Sequence, residues 1–233
     1  MTLNQKIEEL YSSKWTDYSK HLQQLISNDL VIDKPTNPLL LRINEKEYID
    51  SDIRVMIFGQ ETNDWDWDFK NNIEHCLITY DKFVNTNACY SYGGQFWNGY
   101  KKFLSILKQQ HPKKRITSIW NNVIKTGVRG RKGKPSKIVY EVERNHFNVI
   151  HKEIEILQPN LILFLSGPNY DKEISDALSL VDYDKVLEKY SSRQLARLNL
   201  KGHKNVFRTY HPNFLWRNGI DDYFNTIISA IEI

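Results

Sequence analysis

Arg54-Val55-Met56-Ile57-Phe58-Gly59-Gln60-Glu61 is the stretch on which the fold turns. Residues 53–58 read as a strand that ends in a glycine, an amide and a carboxylate. Three later segments repeat the pattern. Residues 117–120 end in Asn121-Asn122, residues 161–165 in Ser166-Gly167, and residues 205–209 in Tyr210-His211-Pro212. Leu161-Ile162-Leu163-Phe164-Leu165 is apolar throughout, as suits a strand covered on both faces. Helical spacing appears between these strands, near 96–107 and 139–157, and again near 221–231. Alternating strands and helices predict an α/β fold: a central four-stranded, mainly parallel sheet flanked by helices on both faces. Ligands of such sheets bind beyond the carboxyl ends of the strands. Four polar strand ends are therefore expected to converge on one edge.

The rest of the chain sets bounds on this reading. A length of 233 residues suits a single domain, with 1–50 as an N-terminal helical extension packed on it. Apolar residues at helical spacing (Ile7, Leu10, Tyr11, Trp15, Tyr18, Leu22, Leu25) predict a helix over about 3–26, and prolines 35 and 38 break the pattern. A hydrophobic fraction of 40% with 12% aromatics is enough for a packed core and excludes wholesale disorder. The net charge of +4 permits nucleic-acid binding without requiring it. Cys76 and Cys89 form no CxxC pair, and the histidines lack metal-ligand spacing, so no metal is expected. The polar N-terminus is unlike a signal peptide, and the longest apolar run is too short to span a bilayer. The expectation is a cytoplasmic, monomeric protein without membrane contact.

Several residue types at the strand ends point to bond cleavage. A carboxylate at Glu61 can orient water and stabilise positive charge on a sugar, as in glycoside cleavage. Pro212 restricts His211 to an extended backbone that aims its ring outward. Such a ring can donate a hydrogen bond to a departing anion. Asn121 and Asn122 can each offer a carbonyl and an amide to a planar base edge, but they point to opposite faces, so only one can enter a pocket. Residues 129–137 carry five cations and no acid, Arg129, Arg131, Lys132 and Lys134 among them, as a phosphate-contacting loop would. Plainer roles stand beside each: a surface carboxylate, a structural histidine, a turn asparagine, a solvated basic loop.

The chain resembles the uracil-DNA glycosylase superfamily at four places, one of them Leu161 to Gly167, which is similar to its third strand and glycine turn. Gly59-Gln60-Glu61 is similar to its opening motif, with Glu61 at the water-activating position and Gln60 beside the base. Asn121-Asn122-Val123 is similar to the segment whose asparagine reads uracil. The residues from Thr209 onward, Thr-Tyr-His-Pro-Asn-Phe-Leu-Trp-Arg-Asn, resemble the Thr-Tyr-His-Pro-x-x-Leu-x-Arg-Asn of the iron–sulfur branch. The resemblance implies that His211 contacts a base carbonyl, that Leu215 wedges into the duplex, and that Phe96 or Trp97 stacks on the base. Arg217 is placed as a further phosphate contact. That branch needs four cysteines and this chain has two, so no cluster is implied and no cofactor is expected. Thr62 and Asn63 stand where the family usually has proline followed by tyrosine or glycine. Without the tyrosine that excludes thymine, either Trp65 replaces it or the pocket takes another base.

The implied function is metal-free cleavage of the N-glycosidic bond of uracil or another damaged base flipped out of DNA. Two other readings compete: a non-catalytic DNA- or nucleobase-binding protein on the same fold, and a doubly wound enzyme acting on a small nucleotide or sugar.

Overall fold

The computed structural model describes residues 1–178, 182–186 and 189–232. Helix α1 (Leu3–Ser27) starts at Thr2, whose hydroxyl accepts from the Gln5 amide while the Gln5 side chain accepts from the Thr2 amide. Strand β1 (Pro35–Pro38), helix α2 (Glu45–Ile49) and strand β2 (Ile53–Asn63) follow. Helix α3 (Ile73–Tyr80) runs into a π-turn at Asp81–Asn85, then α4 (Ala88–Ser91), α5 (Gln95–Gln110) and β3 (Ile116–Val128). Helices α6 (Lys137–His146) and α7 (Ile150–Leu157) lead to β4 (Leu161–Phe164), a 3-10 turn at Pro168–Tyr170, and α8 (Asp171–Leu178). Strands β5 (Tyr183–Lys185), β6 (Leu195–Leu198) and β7 (Val206–Thr209) come next, then helices α9 (Pro212–Leu215) and α10 (Ile220–Ser229).

The sheet has the order β1-β3-β2-β4-β7-β6-β5. Its centre, β3-β2-β4-β7, consists of the four predicted strands, all parallel. The expected count of four is corrected to seven, because β1, β6 and β5 add antiparallel strands at the two edges. Strand β1 carries the two prolines that read as a break. An edge strand tolerates them because one side of it needs no amide donors. The strands β5 and β6 are only three and four residues long, and Asp184 and Arg197 interrupt them, so no run of β-formers marks the pair.

Helices cover both faces. Helix α1 buries Ile7, Tyr11, Trp15, Tyr18, Leu22 and Leu25, which join the same core as the sheet. The stretch 1–50 is thus not purely helical, since β1 enters the sheet. The single helix expected over 139–157 is two, broken at Phe147, Asn148 and Val149. The break lets two buried carboxylates approach β3 from different angles. Glu143 on α6 accepts from the amides of Lys125 (2.9 Å) and Thr126 (2.7 Å), and Glu153 on α7 meets the Lys125 ammonium at 2.8 Å. Among the described residues no helix is long and apolar enough to cross a membrane.

Candidate active site

The carboxyl edge of the parallel sheet is stepped, and the step makes the site. Strand β4 ends at Phe164, level with Phe58, whereas β2 and β3 run on together, pairing Gly59 with Asn122 and Glu61 with Ile124. Gly59-Gln60-Glu61 and Asn121-Asn122, read from the sequence as lying just past the strand ends, are therefore themselves strand residues. The gap beyond β4 is a cleft of about 770 Å³, within the usual size of ligand sites. Glu61, Gln60, Asn122, Phe96, Trp97 and His211 all line it. A smaller cavity of about 440 Å³, near the amino end of β3, contains none of the candidate residues.

Alternation along β3 separates the two asparagines. Asn121 faces α7, where its amide donates to Glu153 (2.9 Å) and its carbonyl accepts from Lys125 (2.9 Å). It belongs to a buried network and does not reach the cleft. Asn122 does reach it. Its Oδ1 accepts from Trp120 Nε1 at 3.2 Å, which turns its Nδ2 donors away from that indole. A Cβ on Gly59 would lie 2.4 Å from Asn122 Oδ1 and 3.1 Å from the Phe96 ring. Glycine is thus required by close approach rather than by an unusual φ.

Glu61 is 8% exposed and held from two sides. Tyr170 donates its hydroxyl to Oε2, and the Gly133 amide donates to Oε1 at 3.2 Å. Burial and the adjacent Glu61 carboxylate push the Tyr170 phenol well up, so it stays a donor. Gln60 donates to the Ser166 carbonyl at 2.7 Å, bridging β2 to the end of β4.

The basic loop is less basic in the fold than in the sequence. Arg129 pairs with Asp68 (2.6 Å), Arg131 with Asp33, and Lys134 with Glu173 (2.6 Å). These acids come from distant segments, which a local count of charges does not register. Lys132 lines the cleft, and it pairs with no acid among the described residues. Arg217 is exposed, and among the described residues its guanidinium bonds only the Asn213 carbonyl, at 3.2 Å.

His211 caps α9: its Nδ1 accepts from the Asn213 amide at 3.1 Å. A neutral ring with Nδ1 as acceptor carries its proton on Nε2. Burial pushes the imidazole pKa down to about 4, so the ring is neutral near pH 7. Helix α5 seats the His-Pro turn at Gly99, where a Cβ would stand 2.5 Å from the Pro212 ring. Phe96 lies 6.2 Å from the His211 ring at an interplanar angle of 26°. Trp97 is 7% exposed and packs on Trp120 (4.9 Å) and Phe83 (5.2 Å), so its ring forms the wall behind Phe96.

The wedge expected at Leu215 is corrected. Leu215 is 0% exposed, because α9 turns it inward onto the core, while Phe214 (36%) and Trp216 (41%) carry the exposed surface of that turn. Tyr170 and Trp120 also line the cleft, and Gly99 supports it from beneath Pro212; the sequence reading singled out none of the three. Trp65 also lines the cleft, edge-on to Trp120 at 5.2 Å, and its Nε1 is a buried donor with no partner among the described residues.

Fold and cleft together define a class: an open, mainly parallel α/β protein with a polar and aromatic ligand cleft at the carboxyl edge of its sheet. The family comparison narrows it. The model of the Uracil DNA glycosylase superfamily matches residues 46–232, and the chain belongs to that superfamily. No curated protein matches the chain.

Proposed function

We propose that the cleft cleaves the N-glycosidic bond of uracil or another damaged base flipped out of DNA, using water and no metal. The observation that carries this reading is the meeting of Glu61, Asn122 and His211 in one cleft, from three strand ends of a glycosylase-superfamily fold. The base stacks on Phe96. Asn122 Nδ2 and His211 Nε2 donate to its carbonyl oxygens, and both hydrogen bonds strengthen as the base departs with the bonding electron pair. Glu61 stabilises the positive sugar carbon and orients the water that adds to it. Tyr170 and Gly133 hold that carboxylate in place. The test is incubation with oligonucleotides carrying uracil, hypoxanthine, xanthine or a thymine mismatch, followed by alkali. Strand scission at the modified position is expected for at least one of them.

DNA contact in this reading runs through Lys132 and Arg217. Each lost phosphate contact flattens the slope of log K against log salt by about 0.9 for duplex DNA. Lys132→Ala is expected to show that change, whereas Arg131→Ala is expected to show little, since Asp33 already neutralises it. Equal effects of the two in a salt titration would count against this assignment. Phe214 takes the place of Leu215 as the wedge, and unstacking a step costs roughly a few kcal/mol. Phe214→Ala should weaken binding to an abasic analogue in duplex DNA more than in a single strand; equal losses would remove the wedge.

One observation favours a non-catalytic binder. Both oxygens of Glu61 already accept a protein donor. Retained base-specific binding with no scission of any substrate would establish that alternative.

A further inference from the structure

The histidines are scattered in the sequence, and folding brings two of them together. Asp17 and His21 stand one turn apart on α1, and His146 ends α6. Their ligating atoms lie within 4.8 Å of one another, a grouping found nowhere else among the described residues. His146 Nδ1 is 2.5 Å from Asp17 Oδ2. His21 Nδ1 is 3.4 Å from Asp17 Oδ1 and 2.8 Å from the Asp17 carbonyl. The two imidazoles stack with centroids 3.8 Å apart and planes inclined by 13°.

We propose that Asp17, His21 and His146 form a binding site for a divalent transition-metal ion of the zinc type, which fastens α1 to α6. Two imidazoles and a carboxylate are a ligand set that zinc accepts, with the remaining position left to water. A tetrahedral zinc with bonds of about 2.0–2.1 Å separates its donors by about 3.3–3.4 Å. His21 Nδ1 and Asp17 Oδ1 already stand at that separation. His146 and Asp17 are closer because a hydrogen bond joins them; the ion replaces that bond, and the two stacked imidazoles turn out of their nearly parallel planes to point at it.

The surroundings suit a cation. His146 lies at the carboxyl end of α6, where unpaired carbonyls favour positive charge. No lysine or arginine pairs with Asp17 among the described residues. The comparable Asp66–His75 pair has Lys70 beside it, 3.6 Å from Asp66. The three side chains are between 24% and 62% exposed, so ions reach them from solution. None of the three lines the cleft, so the site stands or falls independently of the glycosylase reading. Asp17 and His21 precede residue 46, where the family match begins, and His146 lies within it. The metal thus ties the extension to the matched part of the chain.

The experiment uses the full chain free of any affinity tag, titrated with zinc chloride by calorimetry and followed by thermal unfolding. One zinc per chain is expected, with a rise in Tm of about 5–10 °C at a hundredfold excess over Kd, reversed by EDTA. His21→Gln and His146→Gln, on separate helices, should each weaken binding at least about tenfold, as loss of one ligand contact worth about 1.4 kcal/mol would. Their Tm without zinc should stay close to that of the parent. No zinc-dependent rise in the parent, or the same affinity and rise in either variant, would overturn the proposal.

Discussion

If the proposed function holds, replacing His211 by alanine is expected to slow base release by about 10²–10³, or about 3–4 kcal/mol, with little change in DNA affinity. The base gains charge only as its bond breaks, so a donor at Nε2 acts on the transition state more than on the bound substrate. The proton sits on Nε2 because Nδ1 is committed to the Asn213 amide. With its pKa pushed down to about 4 by burial, the ring keeps this form from pH 8 to about pH 5. The rate contribution of His211 should therefore be flat across that range. Stability behaves differently. Between the ordinary histidine value of about 6.5 and about 4, the unfolded chain takes up a proton that the folded chain refuses. Stability from this group is complete above about pH 6.5 and is lost as pH falls towards 4. Single-turnover cleavage and denaturant unfolding across pH 4–8 check both parts. Parental cleavage by His211→Ala removes the residue from the mechanism, and an unchanged acid-side slope removes the buried neutral ring.

Lys125→Met should be among the most destabilising single changes in the protein. The Lys125 ammonium is 1% exposed and meets Glu153, Asn121 Oδ1 (2.9 Å) and the Leu39 carbonyl (3.0 Å). Tyr11 on α1 donates to the same Glu153 carboxylate, so the network joins α1, β3 and α7. Removing the cation leaves a buried carboxylate without its counter-charge, which costs about 3–5 kcal/mol. For a chain of this size that is roughly a 6–20 °C fall in Tm. Lys125→Met with Glu153→Leu should recover much of the loss, because the unpaired charge is gone. A double variant no more stable than the single would show that packing, not charge, is at stake.

Strand cores were legible in the sequence wherever a strand is buried on both faces. The cores 55–58 and 161–164 were read as strands because each is a continuous apolar run. The edges were not legible: β1 is half proline, and β5 and β6 are too short, at three and four residues, to show a strand pattern. Strand ends misled for a related reason. Gly59 and Asn122 read as residues beyond the strands, yet β2 and β3 support each other past the point where β4 stops. The polar character of the site could be read locally, but which side chain faces it could not. Asn121 and Asn122 differ only by the alternation of a strand whose register is set by β2. The inward turn of Leu215 follows from a four-residue helix that the His-Pro signal does not specify. The neutralised loop shows the same limit, since Asp33, Asp68 and Glu173 lie far from residues 129–137 in sequence.

The central claim, that Glu61, Asn122 and His211 act on one flipped base, is tested most directly by mass spectrometry of the free base released under single-turnover conditions. The parent protein and the Glu61→Gln, Asn122→Ala and His211→Ala variants are each incubated with uracil-, hypoxanthine- and xanthine-containing oligonucleotides. The account predicts one released base from the parent, its rate reduced by about two orders of magnitude or more when a catalytic donor is removed, with DNA binding retained. Release at the parental rate by all three variants would contradict it.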